Sequence, residues 1–254
     1  GGTAVASYDT VVTTRGANAI VERAIKEFGK LDIVIANAGI IRNAHIAGMS
    51  DEDWDEVIAT HLTGSFKVTR AAWPHMQAQG YGRVVMTCSS TAMFGIAMMA
   101  NYAAAKGGIM GLVHALSHEG EPHGILVNAI MPNAATRMAM ASAESWEAAG
   151  EDDGLEWPDT AGNAMNPEFN MPIAVYLASE ANTATQGIYT QCLGRTAKMI
   201  IGVPPGWQAQ RQTAPSVDDI AAHFGQISAM PGGFYTPPNP RDELIHVLAQ
   251  GNTA

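Results

Sequence analysis

Short runs rich in Val and Ile recur along this chain, each set apart by stretches of helical periodicity, and this alternation constrains the fold most. "LDIVIANAG" (31–39), "GRVVMTCSS" (82–90) and "GILVNAIMP" (124–132) are largely apolar rather than alternating, and "GIYTQCLG" (187–194) reads as the last strand. Continuous apolar runs mark strands buried on both faces, which belong to parallel sheets covered by helices. "GTAVASYD" (2–9) is expected to be a further strand. The helical stretches are 15–29, 50–80, 101–120 and 167–179, and the first two end at Gly29 and Gly80. Ser50, with Asp53 three residues on, resembles a capping box. The rhythm predicts an α/β fold, a doubly wound parallel sheet with helices on both faces.

The 254 residues suffice for one such domain, and 47% hydrophobic against 15% charged residues implies much buried surface. A net charge of −10 argues against nucleic acid or an anionic membrane surface as partner. Cys88 and Cys192 make neither a disulfide framework nor a zinc cluster, which suits a reducing, cytoplasmic setting. No apolar run reaches the about 18 residues of a membrane span. Residues 139–167 are acidic and lack clean periodicity, and are read as an irregular lid or short helix pair over a substrate pocket. The main domain is placed at 1–202. A Pro- and Gly-rich extension, 203–254, carries amphipathic pieces at "VDDIAAHFG" and "PRDELIHVLAQG".

Chemistry concentrates in "SSTAMFGIAMMANYAAAK", residues 89–106. Tyr102 and Lys106, four apart on a helix, project side by side. A phenol titrates near about 10, and an adjacent ammonium favours its phenolate and lowers that value. Ser89 closes the strand before this helix, at the carboxyl end where α/β sheets place their ligands. Its hydroxyl can hold a substrate carbonyl oxygen beside that of Tyr102.

"NYAAAK" with Ser89, "ANAG" after a strand and "NAIMPNAATRM" together resemble the short-chain dehydrogenase/reductase family over residues 1 to about 200. "SDEDWDEVIATHLTGSFKVTRAAWPHM" and "PNAATRM" most resemble the D-3-hydroxyacyl-CoA dehydrogenase unit of the multifunctional β-oxidation enzyme and bacterial relatives. The resemblance implies a Rossmann-like sheet and hydride transfer between NAD and a secondary alcohol or ketone, with a 3-hydroxyacyl-CoA as the first candidate substrate. It makes Tyr102 the general acid/base, Ser89 the group that polarises the substrate oxygen, and Lys106 the tuner of the tyrosine and ligand of the nicotinamide ribose. It likewise matches Asn37, Ala38 and Gly39 to the turn beside the cofactor, Asp9 to the adenine ring, and Pro132 and Thr136 to the carboxamide. Helices 50–80 and 101–120 would form a homodimer or homotetramer face.

Two positions depart from the general pattern. Ala36 stands where the family commonly has asparagine, and His61 replaces the helix asparagine that completes a catalytic tetrad. His61 is read either as a proton relay or as a histidine that fixes backbone geometry. The family's Gly-x-x-x-Gly-x-Gly loop, whose N–H groups hold pyrophosphate, has no match in a strand–loop–helix context. The resemblance aligns Gly1 with the family's third strand, so two strands and two helices are expected upstream. "LDIVIA" would then be a sheet edge, unless a partner chain supplies the missing half or strand 2–9 docks on 31–36. The chain by itself is expected to bind NAD weakly or not at all. NADP stays open, because the deciding strand is among those expected upstream.

Other candidates are weaker. His114 and His118 have a helical spacing that can hold zinc but no evident third ligand. "EDDGLE" (151–156) lacks the alternating ligands of a calcium loop. Met93, Met98 and Met99 flank the chemical stretch and could line an acyl pocket. Two other functions remain: a non-catalytic binding or dimerisation subunit, and a hydroxysteroid dehydrogenase or 3-oxoacyl-carrier-protein reductase.

Overall fold

Strand β2 (Gly82–Thr87) is buried at every residue, and the sheet is built around it. The computed structural model describes residues 2–151, 164–202, 206–209, 214–229, 245 and 246. Strands β1 (Ile33–Ala36) and β3 (Ile125–Pro132) flank β2 in parallel, and β4 (Ile188–Cys192) pairs with β3 in parallel. Val84 lies between Val34 and Val127 in register. Side chains alternate across the sheet as the strand period requires. Val84 and Met86 join Val127, Ala129 and Met131 in one core, whereas Val85 and Ile130 join a second.

Each face has its own helices. Helices α1 (Thr14–Phe28), α3 (Gly64–Gln79) and α5 (Ala100–Gly120) bring Val21, Ala72, Met76, Ile109 and Val113 to the first core. Leu177 and Ala178 of α7 (Met171–Ala178) cover the other face. The predicted doubly wound, Rossmann-like α/β layering is therefore present. The long helix foreseen at 50–80 begins as α2 (Asp51–Ile58), capped by Ser50 at the Asp53 amide. It passes through a π-helical turn at Ala59–Thr63 and continues as α3 to the cap at Gly80. Short α4 (Thr91–Phe94) precedes α5. Helix α6 (Arg137–Ala148) is capped by Thr136, so the segment expected to be an irregular lid or a short helix pair opens on a regular helix. Of that segment, 152–163 lie outside the described residues.

Two strand assignments need correction. Residues 2–9 form no strand and are exposed throughout, with Tyr8 98% accessible. β1 pairs only with β2, so 2–9 do not dock on 31–36, and β1 is a sheet edge. Cross-strand partners make a strand, and an apolar pattern without a neighbour does not. Nor is 187–194 the last strand. Leu193 (φ 50°) and Gly194 (φ 81°) turn the chain back into β5 (Arg195–Lys198), antiparallel to β4. A two-residue turn with both φ positive serves hairpins, and Leu-Gly lacks the usual Asn-Gly signature.

A compact unit, Gly1–Met199, holds the sheet and its helices. Residues Ile200–Thr236 form a second unit. There "VDDIAAHFG" lies in α8 (Val217–Ile227), opened by a Ser216–Asp219 capping box, and Trp207 stacks on His223 at 4.2 Å. Of "PRDELIHVLAQG", only Ile245 and His246 are described.

Gly124 sits at φ 69°, and a Cβ there would lie 2.4 Å from the Gly80 carbonyl oxygen. Gly124→Ala should destabilise the protein by about 2 kcal/mol or more in urea unfolding, through left-handed strain and backbone overlap. A change near zero would show that this turn relaxes freely.

Candidate active site

The carboxyl ends of β1 and β2 and one face of α5 meet in a small buried cluster. Thr87, the last residue of β2, links them. Its hydroxyl donates to Asn37 Oδ1 at 2.9 Å, and its carbonyl accepts from Lys106 Nζ at 2.6 Å. Lys106 is 3% exposed, and its Nζ lies 5.5 Å from the Tyr102 ring centroid. The helical spacing therefore places these two side chains together as expected. The Ser89 side chain faces the Tyr102 hydroxyl closely enough to favour its phenolate, and the Ser89 hydroxyl accepts the Thr91 amide at 3.2 Å. Cys88, between Thr87 and Ser89, gives its thiol to the Lys106 carbonyl at 3.2 Å.

Burial dominates the titration of all four groups here. It pushes the Tyr102 hydroxyl up to about 12, against the opposing influence of the Ser89 side chain. The expected lowering of the tyrosine by Lys106 is thus not found. Desolvation of the phenolate prevails, and the ammonium is engaged on the Thr87 carbonyl. Burial also lowers Lys106 to about 8, with Cys88 opposing, and raises the Cys88 thiol to about 11. At neutral pH the cluster therefore holds one cation among a neutral phenol, a neutral thiol and a neutral imidazole.

That imidazole is His61, 1% exposed, carried inward by the π-helical turn. Single π-helical turns inside α-helices are frequent at functional positions. His61 Nε2 lies 2.7 Å from the Ile40 carbonyl oxygen and 3.1 Å from the Ile40 amide nitrogen. Its ring meets the Tyr102 ring edge-on, 5.1 Å between centroids, and Nδ1 has no partner among the described residues. Burial first, then the Lys106 charge, lowers His61 to about 4, against the bond to Ile40. A Cβ on Gly39 would fall 2.3 Å from His61 Cε1, so the glycine of the Asn37-Ala38-Gly39 turn makes room for the histidine.

The remaining predicted residues are more dispersed. Pro132 ends β3, opposite Gln191 of β4. Thr136 is four residues further on, and its hydroxyl accepts the Ala139 amide as the cap of α6. Asp9 lies on the exposed 2–10 segment and accepts from Ser7 at 2.8 Å rather than from any residue above.

Several contributors have no distinctive sequence signal. Thr87 is one. Asn101, fully buried, donates to the Arg42 and Asp53 carbonyls and accepts the Tyr102 amide at 2.7 Å. The next two loop residues are also held: Asn43 donates to Ser142 and Ser145 of α6 at 2.8 Å each, and the Ala44 amide donates to the Met98 carbonyl. Trp146 of α6 packs with Met98, Met99, Ile41 and Ile96 against Tyr102. An asparagine just before the tyrosine was the one available hint.

With a hydroxyl, a phenol and an ammonium converging at strand ends of a doubly wound sheet, the comparisons with known proteins agree. Residues 2–147 match the family model described as short chain dehydrogenase. The chain belongs to the short-chain dehydrogenase/reductase family and is an oxidoreductase. It is 38% identical to a short-chain type dehydrogenase/reductase of Mycobacterium tuberculosis, over 91% of this chain and 76% of that one. It is 40% identical to the peroxisomal multifunctional enzyme type 2 of Mus musculus over 78% of its length, which is 25% of that enzyme. The solved full-length type 2 enzyme of Drosophila melanogaster superposes with a TM-score of 0.74 at 25% identity, over 99% of this chain and 41% of that one. Among the described residues, no helix is long and apolar enough to cross a membrane.

Two outcomes follow from the His61 environment. Gly39→Ala should destabilise the protein by about 1–3 kcal/mol by overpacking against the ring, and much of the loss should vanish in a His61→Ala background. Additive losses in the double-mutant cycle would refute the contact. Because His61 falls from 6.5 to about 4 on folding, the folded state binds fewer protons between those values. Stability should therefore fall as pH drops from 6.5 to 4, by roughly 3 kcal/mol, and His61→Gln should flatten that slope in urea midpoints.

Proposed function

We propose that this chain's site moves a proton at a carbonyl or alcohol oxygen during hydride transfer with a nicotinamide dinucleotide. The convergence of Ser89, Tyr102 and Lys106 carries this reading. The chain's residues suit the nicotinamide-ribose half of such a cofactor. Lys106 is a buried cation held by backbone alone among the described residues, Asn37 follows the end of β1, and Pro132 ends β3 on the other side of β2. Lys106 and Tyr102 would hold the ribose hydroxyls, with the 132–136 turn at the carboxamide. The adenine end has only Asp9, which lies in an exposed segment. When bound, the cofactor supplies or accepts the hydride. NAD is preferred to NADP on the branch resemblance alone.

In reduction, Tyr102 gives its proton to the substrate oxygen while Ser89 donates a hydrogen bond to the same atom. In oxidation, Tyr102 takes the proton back from the substrate alcohol. Burial favours the neutral phenol, which keeps Tyr102 loaded as an acid at neutral pH. His61 acts through position: it holds the Ile40 backbone and meets the edge of the tyrosine ring. The substrate class is a 3-hydroxyacyl-CoA or 3-oxoacyl-CoA. The 50–76 and 132–138 stretches resemble the D-3-hydroxyacyl-CoA dehydrogenase unit, and an apolar wall of Met98, Met99 and Trp146 adjoins Tyr102. Helix α6 serves as the described part of the substrate lid. Helices α2–α3 and α5 form the contact face of a homodimer or homotetramer in the cytoplasm.

The test is NADH consumption with acetoacetyl-CoA, comparing wild type with Tyr102→Phe. The variant should keep its thermal stability and lose about 10²–10⁴-fold in kcat. Equal turnover would remove the proposed acid. Failure of the wild type with both NADH and NADPH would favour the non-catalytic subunit, a reading prompted by the unmatched glycine loop.

A further inference from the structure

Trp146 combines two properties that seldom coexist. Its side chain is 4% exposed, yet its indole N–H has no acceptor among the described residues. Buried donors are nearly always paired, because an unpaired one forfeits its hydration without return. The indole belongs to the wall that touches Tyr102, where its neighbours Met98, Met99, Ile41 and Ile96 are aliphatic or thioether groups.

The wall is firmly built. Asn43 fastens α6 by donating to Ser142 and to Ser145, the residue just before Trp146. The Met98 backbone holds φ 60°, a left-handed conformation rare for a side chain of this kind, while its carbonyl takes the Ala44 amide. Two independent ties thus keep the indole and the methionine pair in register beside the tyrosine.

A 3-oxoacyl thioester carries two carbonyls. Ser89 and Tyr102 suit the oxygen on the reacting carbon. Where the thioester oxygen, two carbons away, faces this apolar wall, it needs a donor there. We propose that the Trp146 indole N–H donates to this second carbonyl, making Trp146 the residue that selects β-oxo and β-hydroxy acyl thioesters over simple ketones and alcohols. The inference rests on the hydride-transfer reading of Tyr102 and deepens it. A substrate without the second carbonyl leaves the donor unpaired, and sites built for a hydrogen bond reject such analogues strongly.

Two probes separate the carbonyls. Acetoacetyl-CoA has both, and 3-oxobutyl-CoA, the thioether adduct of CoA with methyl vinyl ketone, keeps only the ketone. With the full chain carrying ¹⁵N in its five tryptophans, saturating acetoacetyl-CoA should move the Trp146 indole proton downfield, and the thioether should not. Wild type should bind the thioether about tenfold or more weakly, and Trp146→Phe should bind both alike. An unmoved Trp146 resonance at saturation, or equal wild-type affinity for the two probes, overturns the proposal. The wild-type comparison stands even where the variant folds poorly. Turnover of both probes with equal kcat/KM would discard the Trp146 anchor and leave Tyr102's role intact. A shifted resonance without turnover would retain the anchor and discard the hydride reading.

Discussion

Lys106 places an ammonium at the carboxyl end of the sheet, 3% exposed, with its Nζ on the Thr87 carbonyl. Among the described residues, no carboxylate offsets it. An isolated buried charge is expensive, and the lowering of Lys106 to about 8 measures that tension. Its neighbours are arranged to tolerate it. The Cys88 thiol and the Tyr102 ring lie beside it, and its charge helps keep His61 neutral. Through Thr87 the same contact reaches Asn37, so two strand ends and one helix are indexed to a single cation.

The π-helical turn at Ala59–Thr63 solves a geometric problem. A regular helix from Ser50 to Gly80 has one inward stripe, which Val57, Ala72 and Met76 use for the core. The wider turn adds an inward position at His61, and the absence of a side chain at Gly39 supplies the space it fills. Helix geometry and strand-end turn are thus matched across 21 residues of separation, which fixes the backbone next to the tyrosine.

Most of the architecture was legible because buried parallel strands and amphipathic helices leave separate periods in the sequence. Gly29, Gly80 and Ser50 marked their helix ends correctly. The reading failed where a pattern needed a partner. Residues 2–9 have the composition of a strand but no neighbour, and Arg195–Lys198, charged at both ends, becomes one because Leu193 and Gly194 fold it onto β4. At the site, the spacing of Tyr102 and Lys106 gave their proximity. It could not give the sign of the tyrosine's shift, which depends on how much water the fold removes. Asn43, Thr87 and Trp146 were invisible for a related reason: their roles come from contacts as distant as 102 residues.

The two cysteines have a practical consequence. Both are 1% exposed, and Cys88 lends its sulfur to the same helix turn that carries the buried ammonium. A thiol so enclosed, and shifted to about 11, reacts with an alkylating reagent only when the strand end and the helix part. Its labelling rate is therefore an intrinsic clock for breathing of the cluster around Lys106, readable with no bound molecule and no foreign reporter.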